Sequence, residues 1–329
     1  MTSYKHLFQR FLSANPDHLH FAAHSHHFWT DTSREAHIQY WDDSARLSDH
    51  KWEHIIGNVL PSVQNHIAGH LNLSDPKSIA FAPNTHEFVV RLLSCLPAQP
   101  KILTTDSEFH SFSRQLRRME EENLVSVTHI STEPFDSFSE RFIAAAKKEK
   151  FDMAFFSHVF FNSGFAVPDL EAIVKSAPSP DTLIVIDGYH GFMALPTDLS
   201  KIQNRAFYMA GGYKYAMGGE GVCFLHCPPD YAKRPRNTGW YADIGALDNA
   251  QNGQVSYASD GFRFFGATFD PSGLYRLNAT METLKKENLN VPAIHGYILD
   301  LQNRFIAQLD HLRCHDVSHA TLMAQKDTT

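Results

Sequence analysis

Two short runs, MAFFSHVFF (Met153–Phe161) and LIVID (Leu183–Asp187), are almost wholly apolar, and their reading decides the fold. A strand covered on one face alternates apolar and polar residues. A strand buried on both faces of a parallel sheet does not. Working outward, KILTT (Lys101–Thr105) and LVSVTHI (Leu124–Ile130) read as further strands. Ser111–Glu122 and Phe138–Lys150 carry apolar residues at helical spacing. Pro168–Lys175 opens with proline at an N1-like position of a helix. Ala206–Ala210 and Val222–Cys227 supply two more strands. Strands and helices that alternate in this way predict an α/β domain with a mostly parallel sheet and helices on both faces.

The flanks differ. Residues 31–70 predict two helices carrying Trp41 and Trp52, divided near Ser48–Lys51. Residues 271–309 predict two more, with Pro292 between Ser272–Glu287 and Ala293–Leu309. The expected organisation is an N-terminal segment (1–20), a large α/β domain (21–270) and a partial, mainly helical C-terminal region (271–329). The abrupt KDTT end predicts a truncated or unusually small last domain.

Composition narrows the function. The 329 residues suit about two domains' worth of chain, and 43% hydrophobic with 20% charged residues fits a packed core. A net charge of −7 argues against a nucleic-acid partner, which needs concentrated Lys and Arg. Four cysteines are too few for a disulfide scaffold. No apolar run approaches the ~18–20 residues of a membrane span. MTSYKHLFQRF lacks the features of a signal peptide. A soluble cytoplasmic protein is expected.

Chemistry concentrates in three places. Asp187 closes the buried run of LIVIDGYHG, at the strand end where open α/β sheets bind ligands. A carboxylate there is costly unless a cation meets it. His190 shares that mouth. One strand and one connection later, MAGGYKYAMGGEG places Lys214 among tyrosines and glycines. A desolvated lysine is a Schiff-base amine; the plainer reading is a loop lysine that binds phosphate as a point charge. Paired with Asp187, it matches a pyridoxal phosphate site, where lysine bonds the aldehyde and a carboxylate keeps the pyridinium protonated. IAFAPNTHEFVVRLL (Ile79–Leu93) then supplies a phosphate cradle: a strand, a turn with Asn84, Thr85 and His86, and a helix whose first N–H groups are free. Alone, that turn is only a helix cap.

With these pieces in order, the chain resembles the class V aminotransferase family of fold-type I pyridoxal phosphate enzymes, and within it kynureninase. The shared segments are Asn84–Glu87, SEFHS (Ser107–Ser111), DGYH (Asp187–His190), GYKY (Gly212–Tyr215), Gly239–Tyr241 and GFRFFGAT (Gly261–Thr268). The resemblance implies Lys214 as Schiff-base lysine and proton shuttle, and Asp187 as partner of the pyridine nitrogen. It puts His190 beside the phenolic oxygen or phosphate and stacks Phe109 on the ring. Tyr213, Trp240 and Thr268 would reach the phosphate, Thr268 from a neighbouring subunit, and Asn162 would contact the cofactor. A homodimer with interfacial active sites and a small amino-acid substrate follows from the same likeness.

The chain departs from kynureninase at substrate-lining positions. FAAHSHHFW (Phe21–Trp29) replaces an expected Gly-Asn-Ser-Leu-Gly, and Phe265-Gly266 replaces Ser-Asn. The family's arginine for the substrate carboxylate would lie beyond Thr329; Arg263 and Arg276 are poor substitutes. The leading expectation is kynureninase-like hydrolytic Cβ–Cγ cleavage or a related lyase reaction. A class V aminotransferase, a desulfurase-like lyase and a non-catalytic cofactor-binding remnant are the alternatives. Among the 21 histidines, the cluster His18, His20, His24, His26 and His27 invites a metal, but crowding in sequence does not make a ligand sphere, and none is expected. On a strand, Cys223 and Cys227 share one face and His226 the other. Cys314 is the late cysteine a desulfurase would need.

Overall fold

The computed structural model describes residues 3–246 and 253–312, with side chains of the last helix through Gln308. Cys314 and the KDTT end lie outside the described residues.

The strands are β1 (Ile79–Ala82), β2 (Lys101–Thr105), β3 (Ser126–Ile130), β4 (Met153–Ser157), β5 (Leu183–Asp187), β6 (Ala206–Gly211) and β7 (Cys223–His226). They form one seven-stranded sheet in the order β1-β7-β6-β5-β4-β2-β3. All neighbours run parallel except β7, which is antiparallel to both β1 and β6. The expected α/β architecture is present, and the apolar runs are its centre: every residue of β4, β5 and β6 is buried.

Phe155 and Phe156 show why both runs had to be continuous. Successive side chains of β4 leave opposite faces. Phe155 stacks at 3.5 Å on Phe112 of the helix His110–Glu121, whereas Phe156 meets Phe142 of the helix Phe138–Lys148 at 5.3 Å. Each face is therefore roofed by a different helix, and neither residue can be polar.

Several boundaries differ from the sequence reading, each for a local reason. MAFFSHVFF is not one strand: β4 stops at Ser157, and the chain folds back so that Val159 bridges Ala166. The helix expected from Pro168 begins at Leu170, because the Asp169 side chain accepts from Ala172 N and acts as the cap. Pro292 does not divide the last two helices; it is the second residue of Val291–Leu312, where its missing N–H costs nothing. The first of the pair, Ser272–Lys286, packs on the helices Asp31–Leu47 and Leu60–Leu71. Thr30–Thr280, Thr32–Thr283 and Ser62–Asn278 hydrogen bonds tie it there.

Candidate active site

A parallel arrangement of β2, β4, β5 and β6 brings their carboxyl ends to one edge. Ser157 aligns with Asp187, and Asp187 with Met209. The connections continue the register: His158 N donates to Asp187 O at 2.8 Å and Gly188 N to Met209 O at 2.8 Å. The segments carrying Glu108, His158, Asp187 and Lys214 thus emerge side by side, at the edge where open α/β sheets place ligands.

Asp187 is buried, and its Oδ1 accepts from Tyr189 N at 2.9 Å. Burial pushes its carboxyl up to about 6, against the pull of that hydrogen bond and of the Lys214 charge. Lys214 is buried too, and burial lowers its ammonium below the usual lysine range while Asp187 holds it up. The two charges sense each other, yet Lys214 Nζ donates to the His24 carbonyl at 2.9 Å instead. Around Nζ lie three ring faces: Tyr213 at 5.4 Å, Tyr189 at 5.6 Å and Phe109 at 6.0 Å.

The loop bearing Lys214 is fixed by its own backbone and by the N-terminal strap. Gly212 N donates to Val222 O at 2.9 Å and Gly218 N to Gly212 O at 2.8 Å. Gly219 has φ +78°, and a Cβ there would meet the Trp29 ring at 2.7 Å, so only glycine lets the strap close down. His27 N donates to Tyr213 O at 3.1 Å, and the His26 ring stacks on Tyr213 at 4.8 Å.

The other expected residues fall into two groups. His190 is half-buried, and burial with the nearby Lys214 charge pushes its imidazole down to about 3. Phe109 meets Phe161 edge-on at 5.3 Å. Asn162 reaches Ser107 Oγ at 3.1 Å. Asn84 caps the helix Thr85–Leu93 by accepting from Glu87 N at 3.1 Å. Thr85 is buried, and its backbone N–H approaches Cys223 Sγ, which is 3.3 Å from Tyr189 Oη. Phe109 lies over Lys214 Nζ, His190 senses its charge, and Thr85 connects through Cys223 to Tyr189, whose ring also faces Nζ; no described contact ties Asn84 or Asn162 to the lysine. His86 faces away, in a surface groove with His110 and Arg114. Trp240 and Thr268 meet each other's neighbourhood at Tyr241, on which Trp240 stacks at 4.0 Å. No described contact of either involves Lys214.

Sequence reasoning passed over Glu108 and Tyr189. Glu108 is buried, accepting from Thr105 Oγ1 and Ser157 Oγ at 2.6 Å each and from Ser157 N at 3.1 Å. Burial pushes it up to about 8, and the Asp187 charge adds to that. The signal was there: a carboxylate three residues past a buried strand end, beside an aromatic. Tyr189 sits inside the quoted DGYH, but nothing local says that its phenol runs under Gly211. His158 is buried with Nδ1 unpartnered, its imidazole pushed down to about 4.

The two arginines weighed for a substrate carboxylate are otherwise engaged. Arg263 donates to the carbonyls of Asp260, Ser259, Pro228 and Tyr231. Arg276 donates to the Gly218 and Glu220 carbonyls and to Ser272 Oγ, and lies over Trp29. His226 is taken up by Ser78 and by the Gln203 carbonyl. Phe265 packs between Phe262 and Phe81, and Gly266 lies against Arg91. A cavity of about 770 Å³ sits behind Trp29 and is lined by neither Lys214 nor Asp187. A smaller one of about 240 Å³ is likewise lined by neither, but its walls include Tyr215, next to the lysine in sequence, and His24, whose carbonyl accepts from Lys214 Nζ.

With the site assembled, comparison with known proteins gives its class. The family profile Aminotransferase class-V matches residues 30–328, and the chain belongs to that family. Isopenicillin N epimerase of Streptomyces clavuligerus is 28% identical over 191 residues, 56% of this chain and 43% of that protein. The match thus spans less than half of the epimerase. Among solved structures, a C-DES mutant with glycine covalently linked to its PLP cofactor superposes with a TM-score of 0.75 at 18% identity, covering 94% of this chain and 82% of that one. An apo cysteine desulfurase from Thermococcus onnurineus NA1 gives 0.75 at 16% identity, covering 95% and 78%. At these identities the likeness carries the fold, that of the fold-type I enzymes. Among the described residues no helix is long and apolar enough to cross a membrane.

Proposed function

We propose that the chain binds pyridoxal 5′-phosphate on Lys214 and acts on an amino acid. The observation that carries this is the relation between Lys214 and Asp187. Both are buried at one sheet edge, and each shifts the other's proton affinity, yet no ion pair joins them. Buried opposite charges held apart are expensive. A planar cation bearing an aldehyde would suit both: Lys214 would hold its aldehyde end and Asp187 its ring nitrogen. Phe109 offers a face for the ring. Of the first-turn N–H groups after Asn84, that of Glu87 is capped by Asn84 and that of Thr85 approaches Cys223 Sγ, so the His86 N–H and the positive end of the helix are what would suit a phosphate.

When bound, the cofactor supplies an electron sink for a bond at the substrate α-carbon. The rest falls to protein side chains. Lys214, whose ammonium burial makes easier to deprotonate, would carry a proton to and from that carbon. Asp187 would stabilise a charge on the ring nitrogen. His190, held neutral, offers a hydrogen bond without adding charge. The strap from Phe21 to Trp29 covers the lysine and limits water.

Kynureninase-like Cβ–Cγ cleavage remains our first reaction class, supported by the GYKY and DGYH segments. The homodimer is proposed with it, since Trp240 and Thr268 have no described contact with Lys214 and would act across an interface. A C–S lyase reading is favoured by one observation, the likeness to the cystine C–S lyase C-DES. A thiol-dependent desulfurase finds no support among the described cysteines, because burial pushes Cys95, Cys223 and Cys227 up to about 12. The test is borohydride reduction with added pyridoxal phosphate. Mass added at Lys214 supports the reading, and its absence refutes it. Alanine release, keto-acid dependence or sulfide then separates the chemistries.

A further inference from the structure

Resting on that reading, we infer that the 240 Å³ cavity beside Lys214 receives the side chain of the substrate, and that this side chain is uncharged and about the size of leucine to phenylalanine. The cavity lies between the strap, the turn after β5 and the last helix. His24, whose carbonyl holds Lys214 Nζ, lines it, as does His190. Through His24 and Tyr215 the cavity adjoins the lysine, so a substrate whose α-carbon stands at the amine has it within reach of its side chain.

Its walls set the chemistry. Phe161, Leu195 and Leu299 are apolar, and among the described residues no carboxylate, ammonium or guanidinium lines the cavity. A charged side chain placed there would lose its water without gaining a counter-ion. The polar groups are weak ones. Burial keeps the His190 ring neutral. His295 Nδ1 donates to the Ala194 carbonyl at 3.1 Å, which fixes its proton there and leaves Nε2 an acceptor when the ring is neutral. Size agrees: the cavity is smaller than the ~300–1,000 Å³ of pockets that take drug-sized ligands, so it suits one side chain.

The experiment is an absorbance titration of the pyridoxal phosphate-loaded protein with single amino acids, read as the half-saturating concentration and independent of turnover. Leucine, methionine and phenylalanine are expected to perturb the cofactor band at concentrations at least tenfold below aspartate, glutamate, lysine or arginine. Leu299→Arg, which puts a guanidinium on the wall, is expected to improve glutamate by tenfold or more. Equal or better response to charged amino acids in the unmodified protein overturns the assignment on its own, whether or not the variant folds. Failure to form any band with added pyridoxal phosphate overturns the functional reading and the cavity's role with it.

Discussion

Lys214 Nζ donates to the carbonyl oxygen of His24 at 2.9 Å, joining residues 190 positions apart. The bond explains why an N-terminal strap rich in histidine belongs to the site. It also defines what replacing the lysine should do. Lys214→Ala removes a desolvated ammonium with no ion-pair partner, so the melting temperature should change little or rise. Borohydride trapping of pyridoxal phosphate should vanish. An intact-mass measurement that still shows the adduct on the alanine variant would place the reactive amine elsewhere.

Tyr189 and Gly211 make a second, purely steric test. A Cβ on Gly211 would sit 2.0 Å from Tyr189 Oη and 2.6 Å from Cys223 Sγ. Gly211→Ala is therefore expected to destabilise by about 1–3 kcal/mol through overpacking. The ring carbon Tyr189 Cζ would lie at 2.2 Å as well, so it takes Tyr189→Ala, which removes the whole ring, to make Gly211→Ala markedly less costly in the double variant. A double-mutant cycle in urea with no coupling between the two positions would contradict the packing described here.

These two cases mark what could be read from sequence. Asp187, Lys214 and Asn84 were legible because each follows an apolar strand, and strand ends in a parallel sheet converge whatever the connections do. The run LIVID is β5 as quoted. The reach of Tyr189 under Gly211 was not legible, since it depends on how β6 and β7 stand beside the turn after β5. The antiparallel direction of β7 was equally hidden, because its residues are as apolar as those of the parallel strands. His24 escaped for a different reason: its contact with Lys214 is made by a backbone carbonyl, which carries no side-chain signature.

Arg263 should behave as a structural clamp. Its guanidinium collects four backbone carbonyls from two loops, Pro228–Tyr231 and Ser259–Asp260, in a setting where it is 2% exposed. Arg263→Ala is expected to cost about 2–4 kcal/mol by stranding those acceptors. Amino-acid half-saturation of the loaded protein should stay within twofold. A large loss of amino-acid affinity with unchanged urea stability would instead make Arg263 a carboxylate ligand.

Glu108 predicts a pH dependence whose sign can be worked out. In the unfolded chain its carboxyl is ionised above its ordinary value of 4.5, whereas burial holds the native proton up to about 8. The native state binds the extra proton, so this group stabilises fully below pH 4.5 and loses that contribution as pH rises towards 8. Buried His158 and His226 titrate in the opposite sense, but only below 6.5, since both are pushed down to about 4. The buried thiols respond only from about pH 9, where an unfolded cysteine ionises. Between pH 6.5 and 8 Glu108 contributes a loss of up to about 1.4 kcal/mol per pH unit, opposed by the lowered Lys214, and comparison with a Glu108 variant isolates it. The cofactor-free protein should lose stability across that window, and Glu108→Gln should flatten the slope. Gln retains a carbonyl to accept from Thr105 and Ser157 N, so the variant should fold. Urea midpoints at pH 6.5 and 8 that fall equally in both proteins would remove Glu108 as the cause.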